Sequence, residues 1–201
     1  GRFRFGGPNV GGGGLRGKCA HFHTHAMNIL GALYTARETG NQVLFDRGLK
    51  SYEWARDNGE PLVGFFPMVT YDEYVGAQTS ETCEVADMIM AGILLSQMGV
   101  DKWDDVDRWT RNQLVENQLT QSNWLTDGHL DYSRSPFNPG FFKADRCSTD
   151  RVGERSVGNF AGWPTPNDWA YREDWWGGNT HDIITTTMTC CTGSGCRALY
   201  H

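Results

Sequence analysis

No stretch of this chain is apolar for long enough to cross a bilayer as a helix. The longest such run, Met88 to Leu95, falls far short of the roughly 20 residues a span requires. Basic charge is also scarce: Lys and Arg number 18 against 24 Asp and Glu, for a net charge of −6, and no Lys/Arg cluster breaks that balance. This argues against a nucleic-acid partner, and no membrane partner is expected. No signal-peptide pattern is visible, the first residue is Gly1, and Ala198-Leu199-Tyr200-His201 reads as a helix cut off after its first turns. Truncation at both ends is therefore expected, with any localisation signal in the missing parts.

What is present describes a folded domain. Hydrophobic residues make up 39% and charged residues 21% of 201 positions, which excludes disorder and suffices for one core. The aromatic share of 12% suits a carbohydrate-binding cleft and a packed core equally. The six cysteines are Cys19, Cys83, Cys147, Cys190, Cys191 and Cys196. An even number permits three disulfides. A chain of this size needs no such staples, and adjacent Cys190 and Cys191 suit ordinary pairing poorly, so reduced thiols around a metal are the favoured reading. Reduced thiols would suit the cytoplasm.

Residues 1–17 form a Gly-rich loop, and with no strand before Gly11–Gly14 they are discounted as a phosphate loop. Apolar spacing then predicts helices over about 18–38, 42–57, 84–98 and 102–120, arranged as two antiparallel hairpins. Gly40, Asn58-Gly59 and Gly99 are their stop signals. The third is apolar all round from Met88 to Leu95, the mark of a helix buried on every side. The link Glu60–Ser80 exceeds a hairpin loop and carries Gly64-Phe65-Phe66-Pro67. From Gln121 to Thr189 periodicity is lost, apart from a short strand expected over 183–188. A last helix is expected to open near Gly193.

Four segments carry chemistry. In Thr79-Ser80-Glu81-Thr82-Cys83-Glu84, residues i and i+2 lie about 200° apart on a helix but share a face when extended. Glu81 and Cys83 are therefore expected to grip one ion only if the helix starts after both, with Thr79, Ser80 or Thr82 as cap. The plainer reading is that the acids complement the helix dipole and Cys83 is core. In Thr189-Cys190-Cys191-Thr192-Gly193-Ser194-Gly195-Cys196, adjacent thiols are expected to reach one centre from a backbone bent at Gly193 and Gly195. Three sulfurs and a carboxylate then make a tetrahedral zinc site from Glu81, Cys83, Cys190 and Cys191, with the other cysteines outside it.

Cys19-Ala20-His21-Phe22-His23-Thr24-His25 places His21 and His25 on one helical face, with His23 elsewhere. The missing central Glu rules out the zinc-protease pattern, and a substrate-binding role for His23 and His25, beside a Trp such as Trp163, is weighed against ordinary packing. Asp72 and Glu73, just before the Glu-x-Cys element, offer a proton donor, or are solvated loop acids.

Ser80-Glu81-Thr82-Cys83, Cys190-Cys191-Thr192-Gly193 and Arg197-Ala198-Leu199-Tyr200 together resemble the β-L-arabinofuranosidase family of glycoside hydrolases (family 127) and its uncharacterised relatives. The segment from His25 to Arg56, turning at Glu38-Thr39-Gly40, is also similar to that family's helix hairpin. Phe160-Ala161-Gly162-Trp163 and Pro166-Asn167-Asp168-Trp169 look closer to the uncharacterised relatives. The resemblance implies that all 201 residues are an internal portion of one (α/α)6-barrel catalytic domain. It implies zinc held by Glu81, Cys83, Cys190 and Cys191, with Cys190 as nucleophile of a retaining hydrolase acting on a carbohydrate. The family's acid/base glutamate has no counterpart in Phe65-Phe66-Pro67-Met68, so Glu73 is taken for that role by proximity. The alternatives are a non-catalytic helical domain with a structural zinc site that binds carbohydrate or protein, a disulfide-bonded secreted protein, and hydrolysis by a metal-bound water.

Overall fold

A computed structural model describes residues 20–70, 80–123, 150–162, 164 and 187–201. These are mainly helical. A two-residue strand β1 (Ala20–His21) leads into α1 (Phe22–Thr39), which turns directly into α2 (Gln42–Asp57). Strand β2 (Val69–Thr70) returns to pair antiparallel with β1, His21 opposite Val69. Next come α3 (Thr82–Gln97) and α4 (Trp103–Trp109), the latter running into a π-helical turn over Thr110–Leu114. A single turn α5 (Val152–Arg155) and a final α6 (Thr189–Tyr200) complete the described elements. Among the described residues no helix is long and apolar enough to cross a membrane.

Local signals account for the first hairpin. Gly40 takes a left-handed φ of 67° and its N–H bonds Ala36 O at 2.8 Å, closing α1 at little cost for a residue without Cβ. Asn41 Oδ1 accepts from Leu44 N at 3.1 Å and caps α2. α3 lies between α1, α4 and α6 and is buried at every position from Thr82 to Leu95. Its all-round apolar second half needs such enclosure.

The core centres on Phe22, Leu33, Tyr52, Phe66, Met88, Ile89, Leu95 and Trp109. The loop motif Gly64-Phe65-Phe66-Pro67 contributes Phe66 to it. Phe66 stacks on Phe22 at 5.2 Å and meets Trp109 edge-on at 5.0 Å. Gly64, at φ 84°, lies so close to the Trp109 ring that a Cβ there would come within 2.8 Å of it.

Three boundaries differ from the sequence expectation. α1 starts at Phe22, because Ala20 and His21 are committed to the strand pair with β2. The fourth helix stops being α-helical after Trp109; the wider π turn places Gln113 and Leu114 inside, and Gln113 Nε2 donates to Asn117 Oδ1 at 3.1 Å. The last helix begins at Thr189 rather than near Gly193, so both vicinal cysteines sit in its first turn.

Candidate metal centre

The site forms where the N-terminal ends of α3 and α6 meet, next to the strand that opens α1. Glu81 is the N-cap of α3, with extended φ −120° and ψ 132°. The helix thus starts before Cys83, not after it, and neither Ser80 nor Thr82 is the cap. The expectation of an extended Glu-x-Cys pair is corrected: one extended residue, Glu81, is enough to bring both side chains to the same side. Glu81 N–H donates to Glu84 Oε2 at 3.1 Å, the return half of a capping box.

On α6 the thiols reach the centre from helical backbone, and the bend expected at Gly193 and Gly195 is absent. Gly195 answers a different need. A Cβ there would stand 2.7 Å from the Phe160 ring, so its bareness lets α6 lie flat on that residue. Thr192 Oγ1 accepts from Phe160 N at 3.1 Å and fixes the same contact.

Glu81, Cys83, Cys190 and Cys191 bring one ligand atom each to within 4.8 Å of one another, although about a hundred residues separate the two halves. Cys83 Sγ lies 3.4 Å from Cys191 Sγ, and Cys191 Sγ lies 3.8 Å from Glu81 Oε1. Two sulfurs on one tetrahedral ion with bonds of about 2.3 Å stand about 3.8 Å apart, and a sulfur and a carboxylate oxygen about 3.6 Å. The donor set can therefore hold a metal ion with small shifts of its side chains. Three members are buried and Cys190 is exposed.

Left to themselves the thiols resist ionisation. The hydrogen bond to Cys191, with burial, holds the Cys83 thiol far above its ordinary range. Burial and the neighbouring Cys83 push Cys190 up. The bond from Cys83 favours the Cys191 thiolate, but burial and the Glu81 charge leave it raised overall. A cation offsets these penalties together, because each thiolate then faces a positive charge. All four described cysteines, Cys83, Cys190, Cys191 and Cys196, are free, and Cys196 stands outside the cluster.

The histidines singled out from sequence find partners that the sequence did not indicate. His21 Nε2 is 2.7 Å from Glu81 Oε2, because His21 precedes α1 instead of riding on it. The helical face expected to hold His21 with His25 is thereby corrected. Instead His21 and His23 approach each other, ring centroids 5.7 Å apart, and His25 lies against Trp54 at 5.4 Å. His23 Nδ1 meets Asp87 Oδ2 at 2.8 Å, and Arg197 Nη2 donates to Asp87 Oδ1 at 2.6 Å, linking α1, α3 and α6 through one buried carboxylate. The bond to Asp87 raises the His23 pKa against the opposing effect of burial. Thr82 Oγ1 donates to Ala161 O at 2.6 Å and accepts from Asn117 Nδ2 at 3.1 Å. Asp87 had a readable signal: it is an acid at the edge of a run buried on every side, where a carboxylate requires a partner.

Glu73, Asp72, Trp163, Cys19 and Cys147 lie outside the described residues, as does the stretch 183–186 expected to be a strand. Fold and site together define a mainly helical protein with a buried Cys/Glu cluster that can hold a metal ion. No family model, curated protein or solved structure matches the chain.

Proposed function

We propose that the chain is part of a retaining glycoside hydrolase similar to the β-L-arabinofuranosidases of family 127, built on an (α/α)6 barrel and holding zinc through Glu81, Cys83, Cys190 and Cys191. The observation that carries this reading is the convergence of those four side chains with Cys190 alone exposed. Only the accessible sulfur of the pair can approach a sugar. A zinc ion would keep the cysteines deprotonated at neutral pH, which their raised pKa values otherwise forbid.

In this reading the Cys190 thiolate attacks the anomeric carbon and the glycosidic C–O bond breaks as a carboxylic acid, for which Glu73 is the candidate, protonates the leaving oxygen. The covalent thioglycosyl enzyme is then opened by water, which gives its proton back to the same carboxylate, so the anomeric configuration is retained. His23, held by Asp87, and His25, together with Trp163, are proposed to bind the sugar.

A second reading rests on the burial of three of the four ligands, which suits a closed structural zinc site in a non-catalytic domain that binds carbohydrate or protein. The zinc-loaded chain incubated with an aryl β-L-arabinofuranoside separates the two. The hydrolase reading predicts release of the phenol with retained configuration by proton NMR, and a glycosyl mass adduct on the Cys190 peptide that Cys190→Ser removes. Zinc-loaded, folded chain giving neither product nor adduct supports the structural site.

A further inference from the structure

We propose that His21, Glu81 and Glu84 form a second divalent-cation site, joined to the thiolate centre by the shared Glu81 carboxylate. The proposal rests on the reading above only in taking Glu81 as a ligand of the thiolate centre. The two oxygens of Glu81 face opposite ways. Oε1 turns to Cys191 Sγ at 3.8 Å, while Oε2 turns to His21 Nε2 at 2.7 Å. A carboxylate so divided can bridge two ions.

Glu84 supplies the independent observation. Its side chain is fully buried; Glu81 N bonds Oε2, and the His23 backbone N–H also faces the carboxylate. Oε1 has no hydrogen-bond partner and lies 3.9 Å from His21 Nε2. A buried carboxylate oxygen left unpaired costs on the order of 1–3 kcal/mol or more, so something is expected to meet it. One ligand atom from each of His21, Glu81 and Glu84 lies within 4.8 Å of the others. Ligands bound at about 2.0–2.2 Å stand about 3–4 Å apart; the 3.9 Å from His21 Nε2 to Glu84 Oε1 lies in that range, and the 2.7 Å to Glu81 Oε2 would lengthen by a few tenths of an ångström.

The chemistry of the donors defines the ion. One imidazole nitrogen and two carboxylates with no sulfur favour a borderline or hard divalent cation such as zinc or manganese(II) over a soft metal. Three protein ligands, with the His21 side chain 32% exposed, leave positions for water. This is the open arrangement of a reactive site, beside a thiolate set that the protein closes by itself. The cation would take the place of the proton between His21 Nε2 and Glu81 Oε2, so its uptake should release protons.

Cobalt(II) titration of chelator-treated chain tests the proposal, because only sulfur-bound cobalt develops a thiolate charge-transfer band. Wild type should take two equivalents, one with the band and one without. Glu84→Gln and His21→Ala should each fall to one equivalent with the band intact, and Cys191→Ser, with two of the three thiols left, should weaken or lose the band while keeping the other equivalent. If Glu84→Gln fails to fold by circular dichroism, His21→Ala decides, since His21 precedes the helix and is partly exposed. Wild type taking a single, sulfur-bound equivalent, or either variant keeping two, would overturn the second site and leave Glu84 as a buried neutral acid. One band-less equivalent lost in Glu84→Gln, with no band in wild type, would support the second site and refute the thiolate centre instead.

Discussion

The two halves of α3 are equally buried and solve burial in opposite ways. From Met88 to Leu95 the helix is apolar and its side chains lie in the hydrophobic core. From Thr82 to Asp87 it carries a hydroxyl, a thiol and two carboxylates, all in the interior. There three of the four polar groups have side-chain bonds to partners from distant segments: Ala161 and Asn117 for Thr82, Cys191 for Cys83, and His23 with Arg197 for Asp87; Glu84 accepts from the nearby Glu81 N. Apolar burial is non-directional and tolerates repacking, whereas each buried polar contact fixes a distance and a direction. The second half of α3 therefore holds the protein together, and the first half specifies where α6 and its cysteines must lie.

Substitutions in each half should separate stability from metal binding. Leu95→Ala, at a fully buried position, is expected to have the larger effect on stability, about 2–5 kcal/mol by chemical denaturation, with metal stoichiometry unchanged. Thr82→Val keeps the volume and removes the hydroxyl that joins α3 to Asn117 and Ala161. Its expected cost is smaller, about 1–3 kcal/mol, but leaves buried polar groups unpaired. Metal affinity should fall roughly 10–100-fold, as for loss of an outer contact that orients ligands. If Leu95→Ala weakened metal binding as strongly as Thr82→Val does, the division between the halves would be wrong.

This division explains what could be read in the sequence. The limits of α2 agree with the pattern because Asn41 and Asn58 mark them locally, and the enclosure of α3 follows from its unbroken apolar run. The start of α6 carries no such mark. Met188 offers no side-chain cap, and the helix is positioned instead by Phe160 against Gly195 and Thr192, contacts that no local window contains. Likewise His21 was read as helical because its spacing to His25 suited a helix, while its pairing with Val69 takes it out of α1. Among the four clustered ligands, Cys190 and Cys191 were legible as adjacent thiols, while Glu81 and Cys83 read by themselves as a dipole-facing acid and a core thiol and joined the set only as complements to that pair. Of their supports, Asp87 carried a signal as an acid beside the buried apolar run, whereas Asn117 is an ordinary residue in sequence and gains meaning only from the partners the fold brings to it.

The most direct test of the central claim is X-ray absorption at the zinc edge on chain loaded with one equivalent of zinc. The account predicts three sulfur scatterers at about 2.3 Å and one oxygen at about 2.0–2.2 Å, falling to two sulfurs in Cys191→Ser if any zinc is retained. A wild-type spectrum fitted by nitrogen and oxygen alone would contradict it.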